Sequence, residues 1–143
     1  WPYDESKWDT QPSPAAYADA ATRKVTLYQK CLNFNAVKTA LSQGFPVVVG
    51  FDVYSSFMSY RTATTGIMTY PNTRRESYLG GHAVCIVGYN DNFQGRKNNG
   101  MFIVKNSWGT DWGDKGYFYM PYQVIQNTTM SDDFWAITRV NNP

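Results

Sequence analysis

The chain contains one histidine, His82, directly ahead of an apolar run, Ala83-Val84-Cys85-Ile86-Val87, with the composition of a buried strand. A second such run, Met101-Phe102-Ile103-Val104-Lys105, ends at Asn106, and Asn99-Gly100 just before it supplies the turn chemistry of a hairpin. Antiparallel pairing of the two strands would set the start of the first beside the end of the second, bringing His82 close to Asn106. A neutral imidazole has one donor and one acceptor nitrogen. An amide oxygen bonded to the donor fixes the tautomer and points the other nitrogen at a nucleophile. An amide adds no negative charge, so the pair suits a thiol that is already acidic and rests as thiolate beside imidazolium.

The string Gly80-Gly81-His82-Ala83-Val84, a strand, and then Asn106-Ser107-Trp108-Gly109-Thr110-Asp111-Trp112-Gly113 resembles the papain-like cysteine peptidases, which use a Cys-His-Asn arrangement. The resemblance is strong over residues 80–120 and implies an α+β fold, mainly the family's antiparallel barrel-like half with one or two short helices. It implies His82 and Asn106 as catalytic residues, Trp108 as the indole covering their hydrogen bond, and Trp112 as a wall of the leaving-group side. It also implies that the Gly81 carbonyl accepts a substrate N–H and that Val49 and Ala83 are small apolar lining residues of a substrate pocket. Gly81 is a departure, because family members often carry Asn or Asp there. No cofactor or metal is implied.

The family's nucleophilic cysteine precedes its histidine by about 130–150 residues. His82 has only 81 residues before it, so the cysteine is expected in a separate chain or a missing N-terminal segment, with Trp1 marking a cut inside a longer precursor. This chain alone is then inactive, and its N-terminal partner is the Cys-bearing chain of the same precursor. Neither cysteine present is a substitute. Cys85, flanked by Val84 and Ile86, has the setting of an inert buried thiol, and Cys31 has only Lys30 as a nearby positive charge in sequence. Both are expected to be free thiols.

Composition narrows the remaining classes. With 43% hydrophobic and 17% aromatic residues in 143, the chain can build one core. Its net charge of +2 is scattered, with Arg74-Arg75 the only adjacent arginines, which points away from nucleic acid and acidic membrane surfaces. No apolar run nears the roughly 18–20 residues of a membrane span. Two cysteines make no disulfide framework, so the compartment stays open, with a secreted or lysosome-like one compatible. Asn127-Thr128-Thr129 fits a glycosylation acceptor and is taken as a surface turn.

The positioning elements follow from local pattern. Residues 1 to 35 are expected to be the link from the missing helical half and 36 to 143 the barrel-like half carrying His and Asn. Within them the pattern predicts a weak helix at Ala15–Thr22 and a strand at Val25–Tyr28. A helix over Ala36–Gln43 is capped by Asn33 or Asn35 and ended by Gly44, and a strand follows over Pro46–Val53. Ser55–Arg61 is expected as a short helix or turn with Phe57, Met58 and Tyr60 packed inward, and 62–79 as an exposed loop spanning the entrance to the site. Strands at Tyr117–Met120 and Asp133–Val140 close the chain, joined by a connection from Pro121 to Ser131.

Three functions use this constellation: peptide hydrolysis with the thiol supplied from elsewhere, binding by a catalytically inactive papain-like domain, and acyl transfer to an amine. A binding module has no physical need for the whole His, Asn, Trp and Trp set, which favours hydrolysis of a peptide or protein substrate.

Overall fold

The computed structural model describes residues 1–97 and 99–141. Its frame is one open, six-stranded antiparallel sheet in the order β1-β6-β2-β3-β4-β5. The strands are β1 (Val25–Lys30), β2 (Val47–Tyr54), β3 (Tyr78–Asn90), β4 (Met101–Lys105), β5 (Tyr117–Pro121) and β6 (Ser131–Val140). Four short helices accompany them, α1 (Pro14–Ala21), α2 (Phe34–Ser42), α3 (Tyr60–Thr65) and α4 (Tyr122–Gln126). None is long and apolar enough to cross a membrane.

Period-two alternation builds the core. In β2, Val47, Val49, Phe51 and Val53 all turn inward and are buried, while Val48, Gly50 and Asp52 turn outward. Val84 and Ile86 of β3, Phe102 and Val104 of β4, and Phe118 and Met120 of β5 complete the inner face. Helix α2 closes over it with Val37 and Ala40. Asn33 caps this helix, its Oδ1 accepting the Ala36 N–H at 2.9 Å, and Gly44 leaves it with φ of 85°.

Several boundaries differ from the sequence expectation. Strand β1 pairs along β6 and Cys31 lies in the core, so the chain joins the sheet half by residue 25 and not at 36. Strand β3 begins at Tyr78, four residues before His82, because Gly80 and Gly81 continue the ladder opposite Val53 and Asp52. Of the three residues expected to pack inward after β2, only Phe57 does (1% exposed), whereas Met58 and Tyr60 are 55% and 85% exposed. The stretch 62–79 is not a simple exposed loop. Thr62, within α3, is buried, as is Met68, whose N–H bonds the Tyr119 carbonyl. The exposed Arg74-Arg75 pair lies in a turn held by Glu76, which accepts the Asn72 and Ser56 N–H groups. Asn127 makes a turn, as expected, accepting from Thr129 N–H and Oγ1.

Gly66 ends α3 in the left-handed conformation, with φ of 69°, and a Cβ there would stand 2.7 Å from the Tyr117 carbonyl oxygen. Backbone occupies that space and cannot swing aside. Gly66→Ala is therefore expected to destabilise the fold by about 1–3 kcal/mol, read as a lower urea midpoint at unchanged slope.

Candidate active site

The β3–β4 ladder pairs Ile86 with Val104 and Cys85 with Lys105. Continued one step, that register sets Asn106 opposite Val84, two residues from His82 on the same strand face. Diagonal neighbours of this kind are within side-chain reach. His82 Nε2 and Asn106 Oδ1 are 2.8 Å apart.

The direction of this hydrogen bond follows from a second one. The Ser107 N–H donates to the same Asn106 Oδ1 at 2.9 Å, which identifies that atom as the carbonyl oxygen of the amide. His82 Nε2 is therefore the donor, and in the neutral ring Nδ1 is the acceptor, directed away from Asn106. Asn106 is 8% exposed, so the bond lies in a poorly solvated setting that strengthens it. Its Nδ2 is buried with no acceptor among the described residues.

Trp108 stacks on the imidazole, ring centres 5.0 Å apart and planes 25° from parallel, so the indole lies along one face of the ring. Trp112 stands edge-on to Trp108 at 5.0 Å. Phe57 supports both indoles, at 5.6 and 5.5 Å, and touches Phe51 and Phe118 from below. Trp112 is thus partly a packing residue. The chain turns these indoles back under the histidine through Gly109, Gly113 and Gly116, all at positive φ, and the Asn106 N–H closes the loop on the Gly116 carbonyl. Trp108 nevertheless remains 39% exposed on its free side.

The other expected site residues divide. Gly81 and Ala83 are exposed and line an open cleft beside His82. Val49 does not. It is fully buried, because the alternation of β2 turns it into the core and leaves Gly50 on the cleft side. The cleft also contains Asp52 and Asp132, which the sequence reading missed. A glycine inside a strand otherwise rich in valine often marks a close approach, and Gly50 was the signal available.

Neither cysteine faces the histidine. Cys85 is three residues along β3 and so points to the opposite sheet face. Burial pushes its thiol up, with Lys105 opposing weakly. Cys31 is buried between β1 and α2, and burial likewise raises it against a backbone hydrogen bond from Ala136. Both are free. Among the described residues no cluster of His, Cys, Asp or Glu is arranged to hold a metal ion.

Two measurements check this geometry. With histidine labelled in nitrogen, the neutral His82 ring should show a single tautomer with its proton on Nε2, and Asn106→Ala should mix the two. Alkylation of Cys31 and Cys85 should be slow at neutral pH. It should rise about tenfold per pH unit into the alkaline range, since a raised thiol is mostly protonated below its midpoint.

Comparison with known proteins places this chain in a family. A family model described as papain family cysteine protease matches residues 2–137. An uncharacterised peptidase C1-like protein of Acanthamoeba polyphaga mimivirus is 40% identical over the whole chain, which spans 47% of it. A cathepsin B-like protein of Giardia intestinalis is 43% identical over 61% of this chain and 26% of its own length. The crystal structure of xylellain, a cysteine protease from Xylella fastidiosa, superposes with a TM-score of 0.75 at 35% identity, covering 94% of this chain and 46% of that one. The chain spans about half the length of these fuller matches, or less. It belongs to the papain family of cysteine proteases.

Proposed function

We propose that this chain supplies the histidine and asparagine of a papain-type peptidase site and that the cysteine nucleophile comes from polypeptide outside it, a separate chain or an N-terminal segment of the same precursor. The observation that carries the reading is the His82–Asn106 hydrogen bond at 2.8 Å with its donor assigned by the Ser107 N–H. It leaves Nδ1 as the working nitrogen. In the resting pair Nδ1 carries a proton and its charge holds the thiolate. When the thiolate attacks a peptide carbonyl, Nδ1–H passes that proton to the departing amine, and Nδ1 then takes one from the water that releases the acyl group.

Asn106 keeps the ring in the plane that serves both transfers without adding charge that would favour the neutral thiol. Trp108 keeps water from competing for the Nε2–H bond. Two further observations support a nucleophile brought from outside. Cys31 and Cys85 are elsewhere in the fold, and Asn106 Nδ2 is buried without an acceptor among the described residues, which costs about 1–3 kcal/mol unless a neighbour satisfies it.

The test uses the full-length polypeptide, with the cysteine-bearing part present. His82→Ala is expected to lower kcat/KM for peptide hydrolysis by about 10²–10⁴. Asn106→Ala should cost less, because it misorients the ring but keeps the proton carrier. Hydrolysis undiminished by His82→Ala would overturn the assignment.

A further inference from the structure

Phe57 supports both indoles of the site, so whatever fixes Phe57 bears on His82. It lies in the turn after β2, where the Phe57 N–H bonds the Tyr54 carbonyl at 2.9 Å and the Met58 N–H bonds the Ser55 carbonyl at 3.2 Å. Two side chains from further along the chain grip the residue just before it. The Thr62 hydroxyl, on a buried residue, donates to the Ser56 carbonyl at 3.2 Å, and the Ser56 N–H donates to Glu76 Oε2 at 3.0 Å. The peptide units on both sides of Ser56 are therefore held from outside the turn.

Glu76 does this with one oxygen only. Its other, Oε1, accepts the Asn72 N–H at 2.7 Å, and the 72–76 turn is closed further by the Arg75 and Glu76 N–H groups, each 2.9 Å from the Asn72 carbonyl. The Ser55 N–H adds a bond to the Ser77 carbonyl at 3.0 Å. Burial pushes the Glu76 carboxyl up, but the hydrogen bonds from Ser56 and Asn72 outweigh it and hold the group below its ordinary range. It is thus a carboxylate with both oxygens free to accept. Although Arg74 and Arg75 stand directly before it, Glu76 enters no ion pair among the described residues. Its two bonds go to backbone N–H groups, and the negative charge strengthens both.

We infer that Glu76 is a positioning residue for the reaction: its carboxylate clamps Ser56 to the 72–76 turn and so fixes Phe57, the two indoles and, through Trp108, the imidazole of His82. The inference rests on His82 being the catalytic histidine. Glu76 acts through a run of contacts. Ser56 precedes Phe57 in the chain, the Phe57 ring lies 5.6 and 5.5 Å from Trp108 and Trp112, and Trp108 lies 5.0 Å from the His82 ring. A released Phe57 lets Trp108 lift from the imidazole, and water then competes for the Nε2–H bond to Asn106. Nδ1 is less well aimed as a result. Displacements of about an ångström, arising far from the chemistry, cost about a hundredfold in rate.

The experiment uses the full-length protein, with the cysteine-bearing part present, and compares Glu76→Gln, Glu76→Ala and Arg74→Ala. Glutamine keeps the volume and one acceptor oxygen but turns an NH2 toward the second N–H, so a role in packing alone survives it and the clamp does not. Active sites are counted by titration with a thiol-reactive electrophile, so that kcat refers to folded sites only. Both Glu76 variants should lower kcat about tenfold to a hundredfold with KM within about twofold of the starting value, and Arg74→Ala should leave both unchanged. With histidine labelled in nitrogen, the His82 Nε2–H proton should exchange with water about tenfold faster in both Glu76 variants. An unchanged kcat per titrated site in Glu76→Gln, an unchanged exchange rate, or an equal loss in Arg74→Ala would each overturn the inference and leave the peptidase reading standing. Unimpaired hydrolysis by His82→Ala would remove the peptidase reading instead. If no peptide is cleaved, the exchange rate decides: a rate unaffected by Glu76→Gln overturns the clamp, and a faster one supports it.

Discussion

The geometry around His82 depends on the register of β3 against β4. Cys85 lies opposite Lys105, and from that single pairing follow the face on which His82 stands and its diagonal reach to Asn106. A slip of one residue would turn His82 outward and Cys85 inward, since strand side chains alternate. The register is secured by burial. Val84 and Ile86 on one strand and Phe102 and Val104 on the other all need the core face, and a slip of one residue would turn one pair away from it. Hydrophobic burial therefore sets the hydrogen-bond geometry.

The second constraint is aromatic. Phe57, three residues past the end of β2, packs beneath the two indoles, in contact with Trp108, Trp112, Phe51 and Phe118. The rings meet mostly edge to face or tilted, the arrangement that aromatic quadrupoles favour. Trp108 is held from below by this group and can lie flat on His82 with its other face open. A separate cluster anchors the far end of the hairpin. Lys38 Nζ sits over the rings of Tyr89, Tyr122 and Phe34 and pairs with Asp91, which Tyr122 also donates to. Lys38 and Tyr122 both hold the Asp91 carboxyl below its ordinary range. The hairpin is thus held at both ends, by these contacts and by those around His82.

An imidazole oriented by an amide oxygen suits a thiolate partner, and the residues that orient this one all lie within the chain. The tautomer, the indole cover and the acidic floor of the adjoining cleft are all set by residues within it. Its two thiols are set apart from His82 by burial and by strand parity.

The sequence by itself determined the local things. Apolar and β-branched runs located the strands, Asn33 or Asn35 and Gly44 bounded α2, and a histidine before one apolar run with an asparagine after another pointed to the candidate site, because each signal is carried by residues close together in the chain. Where it fell short, the deciding contacts were distant in sequence. That β1 joins the sheet depends on β6, more than a hundred positions away, and that Phe57 turns in while Met58 and Tyr60 turn out depends on the tryptophans it meets. Val49 looked like a pocket residue until the sheet assigned it to the core and left Gly50 facing the cleft. The charge of that cleft was least legible of all. Asp132 belongs to a strand eighty residues beyond Gly50, and only a bulge in the β2–β6 ladder lays its carboxylate there.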